Sequence, residues 1–321
     1  MGRTGKPLTI AVTGASGFIG RAVVACARAR GHTVLAIVRR TGSEPKEWDE
    51  GVTVIVADLL CHDDLGGVIA GADIVVHLAA IMTGDTESQR RNTVDTTQAL
   101  CTAIISQPVI PRLVLISSIA VYGYEKVAPG GIINEDTSLE AAPERRDVYC
   151  LNKLQQEKIA SASAASHGMP LTILRPGAVF GPANTWNAHL GAILGPVLVQ
   201  FTRAGALPVV YVGNCALAIL KACETNIAGP VNLIDADPPD RRRYLNALGW
   251  EKPTLVFPWR LLLLIGRLLP LNSKPGLLHP AVLRARMMPV RYATQEMSRL
   301  MSDEPLIGFD EAMQISRGGG L

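Results

Sequence analysis

Tyr149 and Lys153 stand four residues apart in Tyr149-Cys-Leu-Asn-Lys153. On a helix this spacing stacks the two side chains on one face. A lysine ammonium beside a phenol favours the phenolate, which makes the pair a candidate acid/base for a carbonyl or an alcohol. The spacing alone fits an exposed amphipathic helix equally well, so the reading depends on what precedes it. Thr13-Gly14-Ala15-Ser16-Gly17-Phe18-Ile19-Gly20 follows a short apolar strand at 8–12 and opens a helix. In a strand–turn–helix setting these glycines read as a dinucleotide-binding turn. Gly14 permits the tight turn, Gly17 lets a pyrophosphate approach the amides of the helix N-terminus, and Gly20 lets helix and sheet pack closely. Ser16, Phe18 and Ile19 complete the segment that would line the cofactor.

Further candidates fall at strand ends, where α/β sheets bind ligands. The second strand ends at Val38 and is followed by Arg39 and Arg40. No carboxylate stands there to accept from ribose hydroxyls, and two guanidiniums could clamp a 2′-phosphate, so NADP(H) is preferred and NAD(H) remains open. Asp58, followed by Leu59, could accept from an adenine amino group or cap the next helix. Leu78, Ala79 and Ala80 close the fourth strand with little bulk, where a cofactor backbone could pass. Ser117 and Ser118 close the fifth, and a hydroxyl at Ser118 could hold a substrate oxygen while Tyr149 moves the proton.

The elements that must position these residues alternate. Strands are expected at 33–38, 52–57, 74–78, 113–117 and 171–174, with helices at 18–30, 65–70, 90–106 and 147–165. Strands apolar on both faces and separated by helices predict an α/β fold, a Rossmann-type doubly wound parallel sheet. Gly31 is placed to end the first helix. After Pro182 the loops lengthen and prolines multiply. Residues 1–182 are expected to form the dinucleotide-binding domain, with 210–236 returning to it. Residues 183–209 and 237–315 then form a smaller, mostly helical C-terminal substrate domain, and 316–321 a tail. Later helices are expected at 216–225, 244–248, 260–269 and 279–288, with a strand at 231–234.

Composition narrows the partners. The chain of 321 residues carries a formal net charge of +3, and its arginine pairs are scattered without interleaved aromatics, which argues against nucleic acid. Cys26, Cys61, Cys101, Cys150, Cys215 and Cys223 form no CxxC pair and read as reduced thiols of the cytoplasm, with no metal site. No apolar run is long enough for a transmembrane helix. Two stretches come nearest, 189–201 and 259–270, and both read as buried or pocket-lining helices. The second, near Trp259–Leu269, could instead present a membrane-surface face.

Taken together, these motifs resemble the extended short-chain dehydrogenase/reductase family, the NAD-dependent epimerase/dehydratase superfamily. The resemblance rests on 13–20, Asp58, His77-Leu-Ala-Ala80, Ser117-Ser-Ile-Ala-Val-Tyr-Gly123, Tyr149 with Lys153, and Leu174-Arg-Pro-Gly-Ala-Val-Phe-Gly-Pro182. It implies Tyr149 as general acid/base, Lys153 lowering its pKa and holding the nicotinamide ribose, and Ser118 orienting the substrate oxygen. Pro176 and the residues through Val179 would contact the nicotinamide. It also implies a homodimer.

The departures from that family bear on substrate. Where its dehydratases carry Thr-Asp-Glu, this chain has Ser118-Ile119-Ala120, with no acid to drive elimination. Ala178 stands where many nucleotide-sugar enzymes have an Asn, and Val212-Gly-Asn214 replaces an acidic pair. The Asn that often precedes Val in the fourth helix is Thr93, with Asn92 beside it. The substrate half is apolar at 259–269, Leu277-Leu278 and Met287-Met288, a resemblance to the 3β-hydroxysteroid dehydrogenase and dihydroflavonol reductase branch. The expected function is interconversion of a secondary alcohol and a ketone on a small apolar or amphipathic molecule. The alternatives are a nucleotide-sugar epimerase or reductase, and a dinucleotide-sensing protein without turnover.

Overall fold

The computed structural model describes residues 6–227, 229–268 and 279–318. Leu269, Leu277-Leu278 and the last residues of the expected tail lie outside these. In chain order the elements open with β1 (Thr9–Thr13), α1 (Phe18–Ala29), β2 (Thr33–Val38), β3 (Val52–Val56), α2 (Leu65–Val68) and β4 (Ile74–His77). Then come α3 (Thr86–Arg90), a π-helical turn (Arg91–Asp95), α4 (Thr96–Ile105), β5 (Arg112–Ile116), β6 (Ile132–Ile133), α5 (Val148–His167), β7 (Leu171–Pro176) and β8 (Ala178–Phe180). Next are β9 (Ala192–Leu194), β10 (Val197–Gln200), β11 (Val209–Tyr211), α6 (Val212–Glu224), β12 (Pro230–Leu233), α7 (Arg241–Leu248) and β13 (Thr254–Val256). The chain closes with α8 (Trp259–Leu268), α9 (Pro280–Met287), β14 (Arg291–Tyr292), α10 (Gln295–Leu300) and α11 (Phe309–Gly318).

The chain packs as two units. The first comprises residues 1–118, 152–175 and 215–231, and the second 119–151, 176–214 and 232–321. A seven-stranded sheet in the order β12-β7-β5-β4-β1-β2-β3 organises the first. Pairing is parallel at every step from β3 through β1 and β4 to β7. All four residues of β4 are buried, as a strand covered on both faces requires. β3, at the sheet edge, leaves Val54 and Val56 exposed. Strand order reverses between β1 and β4, with Thr13 and His77 in register at the carboxyl ends. That is the switch point at which such sheets bind ligands. Leu100 and Ile104 of α4, Leu113 and Leu115 of β5, and Ile69 form the core of this unit.

Several elements differ from the sequence reading. The helix expected at 90–106 starts earlier, because the Asp85 carboxylate accepts from Ser88 N at 2.7 Å and caps α3, and it is interrupted by the π-helical turn. Asp240 likewise caps α7 through Arg243 N and starts it at Arg241. The stretch at 189–201 is no helix. Gly195, at φ +58, turns the chain between β9 and β10, and Ile193, Val197 and Val199 favour the extended form. Packing also draws the boundary elsewhere than at 182. Residues 119–151 join the second unit because Ile119, Tyr122, Tyr124 and Ile133 share a core with Phe201, Trp259, Leu283 and Met288. That unit carries β13-β10-β9, β11-β8 and β14-β6 alongside its helices. None of the helices of the described residues is long and apolar enough to cross a membrane.

In the first unit, Arg175 of β7 and Glu157 of α5 form a buried bidentate pair at 2.9 and 2.7 Å. Removing one partner strands a buried charge, whereas replacing both with apolar residues does not. Arg175→Leu is therefore expected to lower the unfolding free energy in urea by about 3–5 kcal/mol. The double variant Glu157→Leu/Arg175→Leu is expected to recover most of that loss.

Candidate active site

The glycine turn has the geometry its composition requires. Gly14 sits at φ +68, and a Cβ there would lie 3.1 Å from Ala79 N. A Cβ on Gly20 would run into the Gly14 carbonyl oxygen and come within 2.7 Å of Ala15 O. Gly17 is the N-cap of α1, and no side chain caps the helix. The first amides of α1 thus face outward with the positive end of the helix dipole, a setting that suits a pyrophosphate. Ser16, Phe18 and Ile19 flank the turn half-buried.

At the end of β2, Val38 is buried while Arg39 and Arg40 are exposed. The Arg39 guanidinium donates to Asn92 Oδ1 at 3.0 Å, which ties it to the π-helical turn. The Asp58 carboxylate accepts from Leu60 N at 3.0 Å and so shapes the local turn before α2. Leu59 beside it is buried, and Leu78, Ala79 and Ala80 are half-buried.

The decisive feature lies at the ends of β4, β5 and α5. Lys153 is 4% exposed. Its ammonium donates to Ile116 O at 2.7 Å and to Gln156 Oε1 at 2.9 Å, both neutral acceptors. The Gln156 amide donates to Thr97 Oγ1 at 2.8 Å. Thr97 Oγ1 lies 2.9 Å from His77 Nε2, and His77 Nδ1 lies 2.8 Å from Thr13 Oγ1, which accepts from Ala79 N at 3.3 Å. Burial drives the Lys153 pKa down to about 8, against the opposing attraction of Glu157. Burial, aided by the Lys153 charge, lowers that of His77 to about 3, so the imidazole is neutral. Ser117 and Ser118 are buried at the end of β5, and the Ser117 hydroxyl has no hydrogen-bond partner.

The first unit therefore brings together the glycine turn, Arg39, Leu78–Ala80, Ser117, Ser118 and Lys153. Tyr149, Pro176 and Val179 belong to the second unit. Tyr149 and Lys153 nevertheless share the continuous helix α5, one turn apart, with Tyr149 half-buried. Asp147 caps that helix through Cys150 N at 2.9 Å and is held by Arg286 at 2.9 Å. Pro176 ends β7 and Val179 lies in β8. Gln156 and Thr97 did not stand out in the sequence. The available signal was a side-chain amide three residues beyond Lys153, on the same helix face.

The profile of the NAD dependent epimerase/dehydratase family matches residues 10–233. The chain belongs to that family. It is 32% identical over 198 residues to cinnamoyl-CoA reductase 2 of Arabidopsis thaliana, covering 58% of this chain and 59% of the relative. It is 27% identical over 228 residues to ceramide reductase of Caulobacter vibrioides, covering 70% and 64%. The chain thus spans less than two thirds of either relative. A 3-beta-hydroxysteroid dehydrogenase of Mycolicibacterium neoaurum is 26% identical over 309 residues, covering 89% of this chain and 78% of the relative. Among solved structures, UDP-glucuronic acid 4-epimerase from Bacillus cereus in complex with UDP-glucuronic acid and NAD superposes with a TM-score of 0.72 at 20% identity. It covers 97% of this chain and 98% of its own, a likeness of fold. The family's nicotinamide dinucleotide suits what this chain presents: a cradle that a Cβ would fill at Gly14 and Gly20, uncapped amides on α1, and the unpartnered Ser117 hydroxyl.

The unfolded chain holds the Lys153 proton up to the ordinary lysine value of 10.5, whereas the folded protein releases it at about 8. Burying the charged form costs stability below pH 8, and that cost fades as pH rises toward 10.5. Lys153→Met is accordingly expected to gain up to about 3 kcal/mol at pH 7, at about 1.4 kcal/mol per pKa unit. The gain should shrink in urea titrations at pH 9 and 10.

Proposed function

We propose that this chain is an NADP(H)-preferring oxidoreductase that interconverts a secondary alcohol and a ketone on a small apolar or amphipathic substrate. One observation carries the reading. A buried lysine held by neutral acceptors lies one helical turn from Tyr149, in a unit that also presents the glycine turn. When bound, the nicotinamide supplies or accepts the hydride. In the reducing direction the Tyr149 hydroxyl passes its proton to the carbonyl oxygen, and in the oxidising direction Tyr149 takes it back. Lys153 keeps a positive charge beside that phenol, which favours its anionic form. Ser118 orients the substrate oxygen, and Ser117 offers a hydroxyl to the cofactor. Arg39, steadied by Asn92, and Arg40 engage a 2′-phosphate, to which the end of β2 opposes no carboxylate.

The substrate class rests on three supports. The relatives are named for ceramide, cinnamoyl-CoA and a 3β-hydroxysteroid. The second unit exposes Leu194, Leu255, Leu261 and Leu264. Finally, positions where a nucleotide sugar would want polar groups do other work or carry none. Ala120 and Ala178 have no polar side chain, and Asn214 clips the chain before α11 by accepting from Ile307 N at 3.0 Å and donating to Ile307 O at 2.9 Å. The buried thiols of Cys101, Cys150 and Cys223 fit a reducing cytoplasm.

Purified protein that exchanges NADPH freely and oxidises it with an apolar ketone supports the proposal. Protein that retains NAD through every turnover without net redox change would instead be an epimerase. Cofactor choice is read by thermal shift, since a ligand bound only to the native state raises the melting temperature by mass action. NADPH is expected to stabilise more than NADH. Arg39→Ser/Arg40→Ser is expected to weaken NADPH about tenfold or more, the loss of charge-assisted hydrogen bonds, and to leave NADH unchanged. Equal shifts for both cofactors in the unaltered chain would remove the preference.

A further inference from the structure

One arrangement of hydrogens satisfies every contact along the polar chain from Lys153 to Thr13. Lys153 presents donors only, so the Gln156 amide must turn its oxygen to the ammonium and its nitrogen to Thr97. The single Thr97 hydrogen goes to Thr93 O at 2.6 Å. His77 Nε2, 2.9 Å from Thr97 Oγ1, must then donate, and His77 is the Nε2–H tautomer. Its Nδ1 accepts from Thr13, whose oxygen in turn accepts from Ala79 N, the backbone against which Gly14 is packed. Each link between the glycine turn and the lysine then pairs a donor with an acceptor. A buried network of this kind fixes geometry because any rotation leaves a polar group unpaired.

We propose that Gln156 and Thr97 are positioning residues that hold the Lys153 ammonium by a neutral amide and, through His77 locked as the Nε2–H tautomer, set it in register with the glycine turn. The use of that ammonium in catalysis rests on the function proposed above; its positioning does not. A neutral acceptor has a specific consequence. Glu157, the carboxylate one turn on, is committed bidentately to Arg175, so Lys153 keeps its charge beside Tyr149 without a direct ion pair. The titratable and charged groups around it are Tyr149 and Glu157 on α5, His77 on β4 and Arg175 on β7. A glutamate at 156 would neutralise that charge locally and a leucine would withdraw one acceptor.

The test uses the full chain without cofactor, labelled with 15N-histidine and 13C-lysine. His77 is expected to show an unprotonated Nδ1 and a protonated Nε2 from pH 5 to 8. A protonated Nδ1 overturns the hydrogen assignment and the proposal with it, and this measurement needs no substitution. The Lys153 Cε resonance is identified by its loss in Lys153→Met. Gln156→Leu is expected to lower its titration midpoint by about one pH unit, the worth of one hydrogen bond to a charged group, and Gln156→Glu to raise it. Midpoints that stay put in both folded variants overturn the proposal, since a merely structural side chain would shift neither in opposite senses. The alkaline limb of kcat/KM is expected to follow those midpoints. If the resonances move and the limb does not, the positioning stands and the catalytic reading of Lys153 falls.

Discussion

A lysine ammonium is buried at the carboxyl end of the central sheet with a backbone carbonyl and a side-chain amide as its hydrogen-bond partners. Much else in the first unit follows from that constraint. A buried cation is costly unless its donors are satisfied, so Ile116 O must point at it and Gln156 must turn its oxygen inward. The same charge helps keep His77 neutral, and a neutral imidazole can accept from Thr13 while donating to Thr97. Thr13 then receives Ala79 N, and the fourth strand's end lies so near Gly14 that only glycine fits without strain. The glycine turn and the lysine are therefore one construction, and the free energy spent on the buried charge is returned as geometry.

The second unit has an interior logic of its own. Arg146, 4% exposed, lies 3.2 Å from Glu140, and its guanidinium stacks over the Tyr124 ring at 5.4 Å. The Tyr124 hydroxyl meets that of Tyr292 at 2.6 Å, and Tyr122 donates to Asn232 at 2.7 Å. These bonds anchor 119–151, the segment that ends at the N-terminal turn of α5. Asp235, pushed up to about 6 by burial, still accepts from Tyr211 N and Asn214 and so braces the strand that precedes α6. The turn bearing Tyr149 is thus supported from within its own unit, chiefly by the Asp147 cap and its Arg286 partner.

Legibility from sequence followed how local the cause was. The strands β1, β2, β4, β5 and β7 are readable because burial on both faces demands unbroken apolar runs, and the glycine turn because its backbone angle and close approaches exclude other residues. The helix starts at Asp85 and Asp240 lie upstream of where the apolar pattern begins, although each cap is a local signal. The β9–β10 hairpin stands where the sequence suggests a helix because a short apolar run has no decisive period, and the turn signal within it is Gly195-Pro196. The Gln156–Thr97–His77 path was illegible for another reason. Its members are separated by 59 and 20 residues, and only the packing of α4 and α5 beside β4 brings them to hydrogen-bonding distance. Likewise 119–151 follow strands β1 to β5 of the first unit in sequence, yet pack with residues far downstream.

The central claim is that Tyr149, with the Lys153 charge one turn away, moves the proton that accompanies hydride transfer. Single-turnover hydride transfer in Tyr149→Phe at saturating NADPH tests it most directly. The account predicts a rate lower by about 10²–10⁴, the usual contribution of a positioned acid/base, with NADPH affinity unchanged. Hydride transfer at the full rate in that variant would contradict it.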